Sequence, residues 1–441
     1  MAEAFLTFPK NFLWGTATAA HQVEGGNHNN NWWAWEQGGR VHPGHSAERA
    51  CEWWDGRWRE DFDRASEGGQ TAHRFSVEWS RIQPGSDRWD PAALDQYRQM
   101  AVALRDRGME PVVSLHHFSD PLWLAESRGW MEDRAQVFSA YTEQVVNALK
   151  DQVKIWVTLN EPNVYSTLGY VLGLFPPGRK NPLAAFQVMA NLVRAHAAAY
   201  HTIHRLQAQA QVSMAFHFRG FQPARAGSPL DRSAARTQSR LFNDFFPTAA
   251  SRGVLIYPGL RRRLRAAAST LDYFGLNYYT EELVAFSLAA AAQFFGRRFF
   301  RPGALLSETR FTANEPGGFF RALKWASGYN LPIMVTENGI DDSNDQIRRR
   351  YLAEHIQQLW RAVNFNWGIQ GYFHWTLVDN FEWERGWTQR YGLWALDVET
   401  QERQARPSAD LYAEICRANG LSSEMVARYA PESFAGMFPN E

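Results

Sequence analysis

Two glutamates each close a short apolar segment of the chain. Glu161 closes the segment 155–161, IWVTLNE, and Glu337 closes the segment 332–337, PIMVTE. Both segments read as buried strands, and a carboxylate at the C-terminal tip of a buried strand is typical of the active sites of barrel enzymes. Two carboxylates are also the minimum equipment for cleaving a glycosidic bond. The pair therefore predicts glycoside cleavage.

For that reaction the two glutamates need pKa values shifted in opposite directions. A general acid keeps its proton at neutral pH only when burial or a nearby negative charge raises its pKa. We expect this of Glu161, with a second carboxylate about 5–5.5 Å away that serves as nucleophile in a retaining mechanism. The nucleophile, Glu337, must stay ionised and needs a cation or hydrogen-bond donors beside it. Arg74 and Tyr279, near the ends of two other runs, are the candidates.

A third cluster lies further along the chain, in the segment 372–383, YFHWTLVDNFEW. There a carboxylate is flanked by two indoles, which is a credible platform for a sugar ring. Glu382 would accept hydrogen bonds from hydroxyl groups while Trp375 or Trp383 stacks on the apolar face of the ring. The alternative is an aromatic core strand that runs into an exposed loop glutamate.

Each of these signals has an ordinary structural alternative. An Asn-Glu-Pro sequence can be a solvated strand end before a turn, Arg74 can form a plain ion pair at a barrel rim, and Tyr279 can be core packing. Three histidines, His196, His201 and His204, share one helical stretch without a matched acidic partner, so we predict no metal site there. No glycine-rich phosphate loop follows a strand.

The elements that must position these residues alternate along the chain. Longer segments with apolar residues at helical spacing, such as 90–108 and 134–149, separate short β-rich runs. The eight runs span residues 12–19, 71–79, 110–118, 153–160, 211–218, 271–280, 332–337 and 369–378. This alternation predicts parallel βαβ units. Eight units predict a closed (β/α)₈ TIM barrel of the α/β class, because closure removes both edges of the sheet.

The chain shows no linker rich in proline, glycine or serine, so we predict a single catalytic domain over residues 1–441. Two connections, 25–52 and 281–330, are long for simple loops. Loops of this length in a compact domain are usually functional. Because both follow strands, we expect both on the C-terminal face of the barrel, where the active site lies.

Composition narrows the class of protein further. The 441 residues carry no formal net charge, which argues against nucleic acid or an anionic membrane as partner. Aromatic residues make up 14%, including 19 tryptophans, and indole faces suit sugar rings. Cys51 and Cys416 are the only cysteines, and no stretch of 18 apolar residues occurs. We therefore expect a reduced, cytoplasmic protein without a disulfide framework or membrane span.

Taken together, these segments resemble glycoside hydrolase family 1, the β-glucosidase family. Segment 12–25, FLWGTATAAHQVEG, is similar to the family's N-terminal signature, and segment 158–162, TLNEP, to its acid/base motif. Segment 335–339, VTENG, resembles the nucleophile motif, and segment 379–383, DNFEW, the glycone-binding motif. The four motifs stand in the family's order, and the resemblance runs from residue 12 to about residue 415.

The resemblance implies a role for each motif residue. Glu161 would be the acid/base and Glu337 the nucleophile, with Arg74, Asn277 and Tyr279 orienting and tuning that nucleophile. The glycone hydroxyls and ring would be bound by Gln22, His117, Asn160, Trp375, Glu382 and Trp383. Within that set, the resemblance implies that the asparagine binds the 2-hydroxyl group and that the first tryptophan forms the floor of the subsite.

One departure from the family pattern bears on the sugar that is bound. After His117 the family commonly has tryptophan, whereas this chain has Phe118. A ring that often lines the glycone pocket is therefore smaller here. This difference favours tolerance among gluco-, galacto- and fuco-configured sugars.

The function that the resemblance implies is a retaining exo-β-glucosidase that needs no metal or organic cofactor. Its substrates would be cellobiose, oligosaccharides and aryl or alkyl β-glucosides, which places it in carbohydrate metabolism and cellulose degradation. Its partners would be these small molecules, glucose as product and potential inhibitor, and no nucleic acid or membrane; a homo-oligomer stays open. The alternatives are a mainly transglycosylating enzyme and a sugar-binding barrel without catalysis, which would lack one glutamate.

Overall fold

Eight parallel strands form a closed ring in the computed structural model, which describes residues 4–257 and 260–439. The ring closes because the last strand pairs with the first and the fifth with the sixth. In chain order the strands are β1 Leu13–Ala17, β2 Ala72–Ser76, β3 Glu110–Ser114, β4 Ile155–Asn160, β5 Gln211–Pro223, β6 Phe274–Phe286, β7 Ile333–Asn338 and β8 Ile369–His374. The predicted (β/α)₈ barrel fold is confirmed.

Helices connect consecutive strands and surround the ring. The main helices are α1 Trp58–Glu67, α2 Pro91–Asp106, α3 Ala135–Leu149, α4 Pro182–Leu206, α5 Phe245–Arg252, α6 Pro316–Ser327, α7 Arg348–Asn364 and α8 Pro407–Ala418. The start of α2 shows how the sequence sets a boundary. The Asp90 carboxylate accepts hydrogen bonds from two backbone N–H groups of the first turn, 2.9 and 3.3 Å away, and a proline follows it.

Shorter elements complete the described fold. A 14-residue helix spans Pro229–Phe242. Short helices span Ala20–Val23, Asn31–Gln37, Trp79–Ile82, Leu122–Glu126, Pro162–Ser166, Ser423–Tyr429 and Phe434–Met437. A π-helical turn spans Thr167–Leu172, and 3₁₀ turns span Gly129–Met131, Arg265–Ala267, Leu288–Gln293, Trp383–Arg385 and Pro431–Ser433. Short strands span Phe5–Thr7, Val254–Tyr257, Leu260–Arg263, Gly296–Phe299, Trp394–Leu396, Arg403–Ala405 and Gly420–Ser422. No helix in the described residues is long and apolar enough to cross a membrane.

Two strands extend beyond the runs that the sequence predicts. Strands β5 and β6 continue past the barrel and stay paired as far as Pro223 and Val284. The short strand Gly296–Phe299 then pairs antiparallel with β6. The first part of the connection 281–330 is therefore a sheet extension rather than a loop. Its apolar side chains pack into a small second hydrophobic cluster.

Strands and loops place polar residues at one end of the barrel. All residues of β4 and β7 are buried, as expected for strands covered on both faces. The long connection 25–52 lies over the same end, where the Trp387 backbone N–H donates to His45 Nδ1 at 3.0 Å and its indole N–H to the Ser46 carbonyl at 3.0 Å. Both long connections therefore sit on the predicted catalytic face, while the domain limits 1–441 stay a prediction.

Candidate active site

A cavity of about 330 Å³ opens at the C-terminal ends of the barrel strands. It brings together residues from most of the predicted site. The predicted residues that line it are His117, Glu161, Tyr279, Glu337, Trp375, Glu382 and Trp383. The remaining predicted residues contact members of this set from behind and are described below.

Both oxygens of the Glu337 carboxylate are held by hydrogen bonds. Arg74 Nη1 donates to Oε1 at 2.7 Å, and the Tyr279 hydroxyl donates to Oε2 at 2.7 Å. The glutamate is 3% exposed and lies inside β7. Charge-assisted hydrogen bonds of this kind favour the ionised carboxylate and fix its orientation. The pairing predicted between this glutamate and these two residues is present.

Arg74 connects the two glutamate strands. Its side chain is fully buried, and Nη2 donates to Asn160 Oδ1 at 2.7 Å while Nε donates to Ser114 Oγ at 3.0 Å. Nη1 also contacts the Thr336 carbonyl at 3.1 Å. A guanidinium with so many partners has one geometry available to it. It therefore sets the position of β7 relative to β4.

Glu161 lies just beyond β4 in a left-handed backbone conformation, with φ 42° and ψ 54°. Such a conformation is costly for a glutamate and marks a locally strained position. Its backbone N–H donates to the Ala215 carbonyl on β5 at 2.8 Å. Its Oε1 atom accepts from His217 Nδ1 at 2.8 Å and from Asn277 Nδ2 at 2.9 Å. Strands β4, β5 and β6 together hold this side chain.

Asn277 supports a different glutamate from the one predicted. The motif resemblance places Asn277 beside Glu337, whereas its amide nitrogen contacts Glu161 at 2.9 Å and Asn160 at 3.2 Å. The reason is the orientation of the amide. Its oxygen accepts from the Thr336 hydroxyl on β7 at 2.6 Å, so its N–H₂ group points the other way, toward the end of β4.

The proton balance of the site also differs from the prediction of an ionised Glu337. Burial raises the pKa of Glu337 to about 7, Arg74 lowers it, and the negative charge of Glu161 raises it again. The hydrogen bond from Tyr279 is a further lowering influence. Near neutral pH this carboxyl group therefore exchanges between its protonated and ionised forms. The hydrogen-bond donors beside it set the lowest pH at which it stays ionised.

The replacement Tyr279→Phe tests that balance. Removing a donor that lowers the pKa of Glu337 leaves the carboxyl protonated at higher pH, and a protonated carboxyl is not a nucleophile. We expect the acidic limb of the kcat/KM profile to move upward by roughly one pH unit. Tyr278→Phe is the matched control, since the Tyr278 hydroxyl donates to the Glu315 carbonyl instead. An unmoved limb in Tyr279→Phe contradicts the assignment.

The glycone side of the cavity carries buried polar atoms without partners. Gln22 Nε2 donates to Asn380 Oδ1 at 3.1 Å and to the Phe381 carbonyl at 2.9 Å, which leaves its oxygen unpaired among the described residues. His117 Nε2 lies 2.9 Å from Asn160 Nδ2, a donor, so Nδ1 carries the ring proton. That atom is also unpaired there. Burial lowers the pKa of His117 well below its ordinary value, so the ring is neutral.

An acceptor and a donor without partners in a buried site suit sugar hydroxyl groups, which both give and take hydrogen bonds. Asn160 fits its predicted place between them and the nucleophile. Its oxygen is used by Arg74 and Asn277, and one amide hydrogen by His117. The second amide hydrogen is left to contact a ligand, as the predicted 2-hydroxyl contact requires.

Glu382 and Trp375 lie together at the inner end of the cavity. The indole N–H of Trp375 donates to Glu382 Oε1 at 3.1 Å. Burial raises the pKa of Glu382 to about 8, and the charges of Glu337 and Asp341 raise it as well. Gly339 is required beside them, because a Cβ atom there would lie 2.1 Å from the Trp375 carbonyl oxygen. Gly339 thus lets the chain just after β7 pack closely against Trp375, the predicted floor of the subsite.

The replacement Glu382→Gln should separate binding from stability. The folded protein holds the proton of this carboxyl up to about pH 8, against an ordinary value of 4.5. Its contribution to stability is therefore complete below pH 4.5 and is lost as pH rises through 8. Glutamine has no such loss, so its melting temperature should exceed that of the wild type increasingly from about pH 5 to pH 9.

The same variant should lose about 100-fold in kcat/KM for a β-glucoside, because the carboxyl group predicted to accept hydrogen bonds from sugar hydroxyls is replaced by a weaker acceptor. Differential scanning calorimetry and steady-state rates measure the two effects. Glu402→Gln, at an exposed position, is the control for both. A glutamine variant that is less stable than the wild type at pH 9, or as active, contradicts the role given to Glu382.

Aromatic rings enclose the glycone side. Trp383 stacks on His117 with ring centroids 5.8 Å apart and on His21 at 5.8 Å. Phe118 meets the same indole edge-on at 5.1 Å. The residue that departs from the family pattern therefore contacts Trp383, the indole beside the predicted glycone carboxylate.

The outer part of the cavity is apolar with cations at its edge. Apolar lining residues there are Val164, Leu168, Leu172, Leu174, Phe175, Phe242 and Phe311. Arg219 and Arg298 both contact Glu282, at 2.6 and 3.7 Å, and Arg385 lies over the Phe311 ring at 4.5 Å. These residues come from β5 and β6 and from the connections after β4, β5, β6 and β8. An apolar rim suits aryl and alkyl groups.

Comparison with known proteins identifies the family. The model of glycosyl hydrolase family 1 matches residues 5–421. The chain belongs to this family. It is similar to beta-glucosidase A of Thermotoga maritima, with 33% identity over 449 positions that cover 94% of this chain and 98% of that protein. It is also similar to a beta-galactosidase of Sulfolobus acidocaldarius, with 30% identity over 95% of this chain and 97% of that one.

Among solved structures, the beta-glycosidase from Pyrococcus horikoshii superposes with a TM-score of 0.90 at 35% identity and covers 97% of this chain and 98% of its own. Family 1 membership and the closed barrel agree with the motif-based prediction. His217 stands outside the four predicted motifs, and the sequence analysis does not single it out. The available signal was its place in the run 211–218, where alternate residues face the same side.

Proposed function

We propose that this family 1 protein is a retaining, exo-acting β-glucosidase with Glu337 as nucleophile and Glu161 as acid/base. The observation that carries the proposal is the unequal hydrogen bonding of the two glutamates. Both oxygens of Glu337 are held by donors that favour its ionised form. Only Oε1 of Glu161 has donors among the described residues, so its other oxygen is free to carry a proton.

The first step forms a covalent intermediate. The Glu337 carboxylate attacks the anomeric carbon of the sugar while Glu161 gives its proton to the glycosidic oxygen, and the aglycone leaves as an alcohol. Arg74 and Tyr279 hold the attacking oxygens in place, which makes the attack effectively unimolecular. The intermediate is a neutral ester of Glu337, and the negative charge passes to Glu161, which has given up its proton.

The second step releases the sugar. Glu161, now ionised, takes a proton from a water molecule, which attacks the anomeric carbon from the face that the aglycone left. The ester bond to Glu337 breaks and its carboxylate is restored. Two inversions give net retention, and the β-anomer of the sugar is the first product.

The buried polar groups and the open rim suggest which end of a substrate enters. Gln22, His117 and Glu382 are all buried, with at most 8% exposure, and we propose that they bind one sugar ring through its hydroxyl groups. The rim is lined by Leu172 and Phe311, both 39% exposed. One terminal sugar therefore fits inside, and an aryl or alkyl aglycone fits the apolar rim.

Glycone tolerance follows from the same residues. The smaller ring of Phe118 beside Trp383, and a beta-galactosidase among the relatives, support acceptance of β-galactosides and β-fucosides as well. We also propose cellobiose as a substrate, which would place the enzyme in cellulose degradation. The cytoplasmic localisation and a homo-oligomeric state stay predictions.

A rate panel tests the proposed function. The substrates are 4-nitrophenyl β-glucoside, β-galactoside, β-fucoside and α-glucoside, with cellobiose alongside. We expect turnover of the β-glucoside and cellobiose, lower or comparable turnover of the other β-glycosides, and none of the α-glucoside. ¹H NMR of the first sugar released should show the β-anomer. A first-formed α-anomer, or no cleavage of any β-glycoside, overturns the proposal.

A further inference from the structure

His217, on β5, contacts the predicted acid/base directly. Its Nδ1 atom lies 2.8 Å from Glu161 Oε1, and its ring lines the cavity. The strand register explains the contact, because His217 is the partner of Asn277 on β6 and Ala215 is the partner of Asn160 on β4. The imidazole thus enters the cavity beside the end of β4. The two proposed steps assign no role to this imidazole.

The packing around His217 fixes the ring. It stacks on Tyr279 with centroids 5.7 Å apart and planes 16° from parallel, and it meets Phe242 edge-on at 5.8 Å. Its backbone carbonyl accepts from Asn163 Nδ2 at 2.8 Å. A ring packed against two aromatic side chains keeps one direction for its Nδ1 atom, which is the condition for positioning a neighbour.

The hydrogen bonds at Glu161 Oε1 decide where an acid proton resides. Asn277 Nδ2 is a donor whose direction is fixed, because the amide oxygen is taken by Thr336. With His217 Nδ1–H as a second donor, Oε1 has both of its lone pairs engaged. A proton on the carboxyl group must then sit on Oε2. That oxygen has no partner among the described residues, and Glu161 lines the cavity.

We propose that His217 is a positioning residue that keeps the acid proton of Glu161 on Oε2, the oxygen left free to meet the glycosidic oxygen. The inference rests on the proposed function, since it assumes that Glu161 is the acid/base. Without the Nδ1–H donor, the proton has a second location on Oε1, where it points toward β5 and away from the bond to be cleaved. The imidazole therefore acts through Glu161 and does not touch the reacting atoms.

The titratable groups around the ring come from three strands. Glu161 follows β4, Tyr279 lies on β6 with its hydroxyl on Glu337, and Arg219 is two residues along β5 with its guanidinium on Glu282. An imidazole with its proton on Nδ1 fits these neighbours, because that nitrogen then donates to Glu161 Oε1 at 2.8 Å.

Leaving-group dependence tests the proposal with two variants. His217→Leu removes the donor, whereas His217→Asn places an amide N–H close to the position of Nδ1 and cannot titrate. Phenyl or methyl β-glucoside needs proton donation to its leaving oxygen, and 2,4-dinitrophenyl β-glucoside does not. We expect His217→Leu to lower kcat/KM about 10- to 100-fold for the first group and less than about 3-fold for the dinitrophenyl substrate.

His217→Asn should restore most of the loss, and the basic limb of the kcat/KM profile should shift in His217→Leu only. His201→Leu, at an exposed position, is the matched control and should change neither rate. Equal losses on both substrate classes, no loss on either, or no restoration by asparagine overturns the proposal. Failure of the wild type on every β-glucoside overturns the proposed function instead, so the two are distinguishable.

Discussion

Glu337→Gly should lower kcat/KM for aryl β-glucosides by at least about 10⁴-fold. The reason is that the covalent intermediate cannot form without the carboxylate, and the remaining groups only bind and polarise the substrate. Added azide should restore cleavage of an activated aryl β-glucoside, because a small anion fits the space left by the carboxylate. It attacks from the same side and yields the α-glycosyl azide, which ¹H NMR identifies.

Two comparisons sharpen that experiment. Glu337→Gln keeps the size of the side chain and should be as inactive as glycine but without rescue, since it leaves no space for an anion. Glu143→Gln, on α3 with a side chain that is 41% exposed, should behave as the wild type. Full activity of Glu337→Gly, or a β-configured azide product, would show that a different group attacks the anomeric carbon.

Glu161→Gly should lose activity mainly on substrates with poor leaving groups. Loss of the general acid costs about 10²- to 10⁴-fold for substrates with poor leaving groups, such as methyl β-glucoside. For 2,4-dinitrophenyl β-glucoside the intermediate should still form, but its hydrolysis should be slow because no base activates water. Stopped-flow absorbance should therefore show a burst of 2,4-dinitrophenolate followed by slow turnover.

Azide provides the discriminating readout for this variant as well. It should speed turnover of the trapped intermediate and give the β-glycosyl azide, since it enters from the face that the aglycone left. The control is Glu126→Gln, at an exposed position on a short outer helix. A uniform loss on good and poor leaving groups, or an α-configured azide product, would remove Glu161 from the acid/base role.

The fold could be predicted from the sequence because each barrel strand is a separate local signal. Strand β7 begins with the apolar residues 333–335, and α2 is bounded by Asp90 with its following proline. The prediction was less accurate where pairing between distant strands decides the boundary. Strand β6 extends to Phe286 because it gains partners on β5 and on Gly296–Phe299, and those partners lie outside the local sequence.

The candidate site was predictable where a motif names its residues, and the structure brings those residues around one cavity. Asn277 shows the limit of such reasoning. The orientation of an amide depends on which group donates a hydrogen bond to its oxygen. Thr336 is that donor only because of the register of β6 and β7. His217 shows a second limit, because its contact with Glu161 depends on the pairing of β4 with β5. Sequence spacing contains neither fact.

The proton balance was the least predictable part. Whether Glu337 is ionised depends on how the effects of burial, Arg74 and Glu161 on its pKa oppose one another. Each effect depends on distances in the folded structure. Glu382 adds a third buried carboxyl group in the same cavity. A site that keeps several buried acids close together is less stable than it could be, and we expect substrate hydroxyl groups to relieve part of that cost on binding.

The most direct test of the central claim is covalent trapping of the nucleophile. A 2,4-dinitrophenyl 2-deoxy-2-fluoro-β-glucoside forms the intermediate quickly and releases it slowly, because fluorine destabilises the transition states of both steps while the leaving group drives the first. Proteolysis and tandem mass spectrometry then locate the attached sugar. We predict stoichiometric labelling on Glu337 with loss of activity. Labelling on Glu161, or no labelling of an enzyme that hydrolyses β-glucosides, would contradict the mechanism.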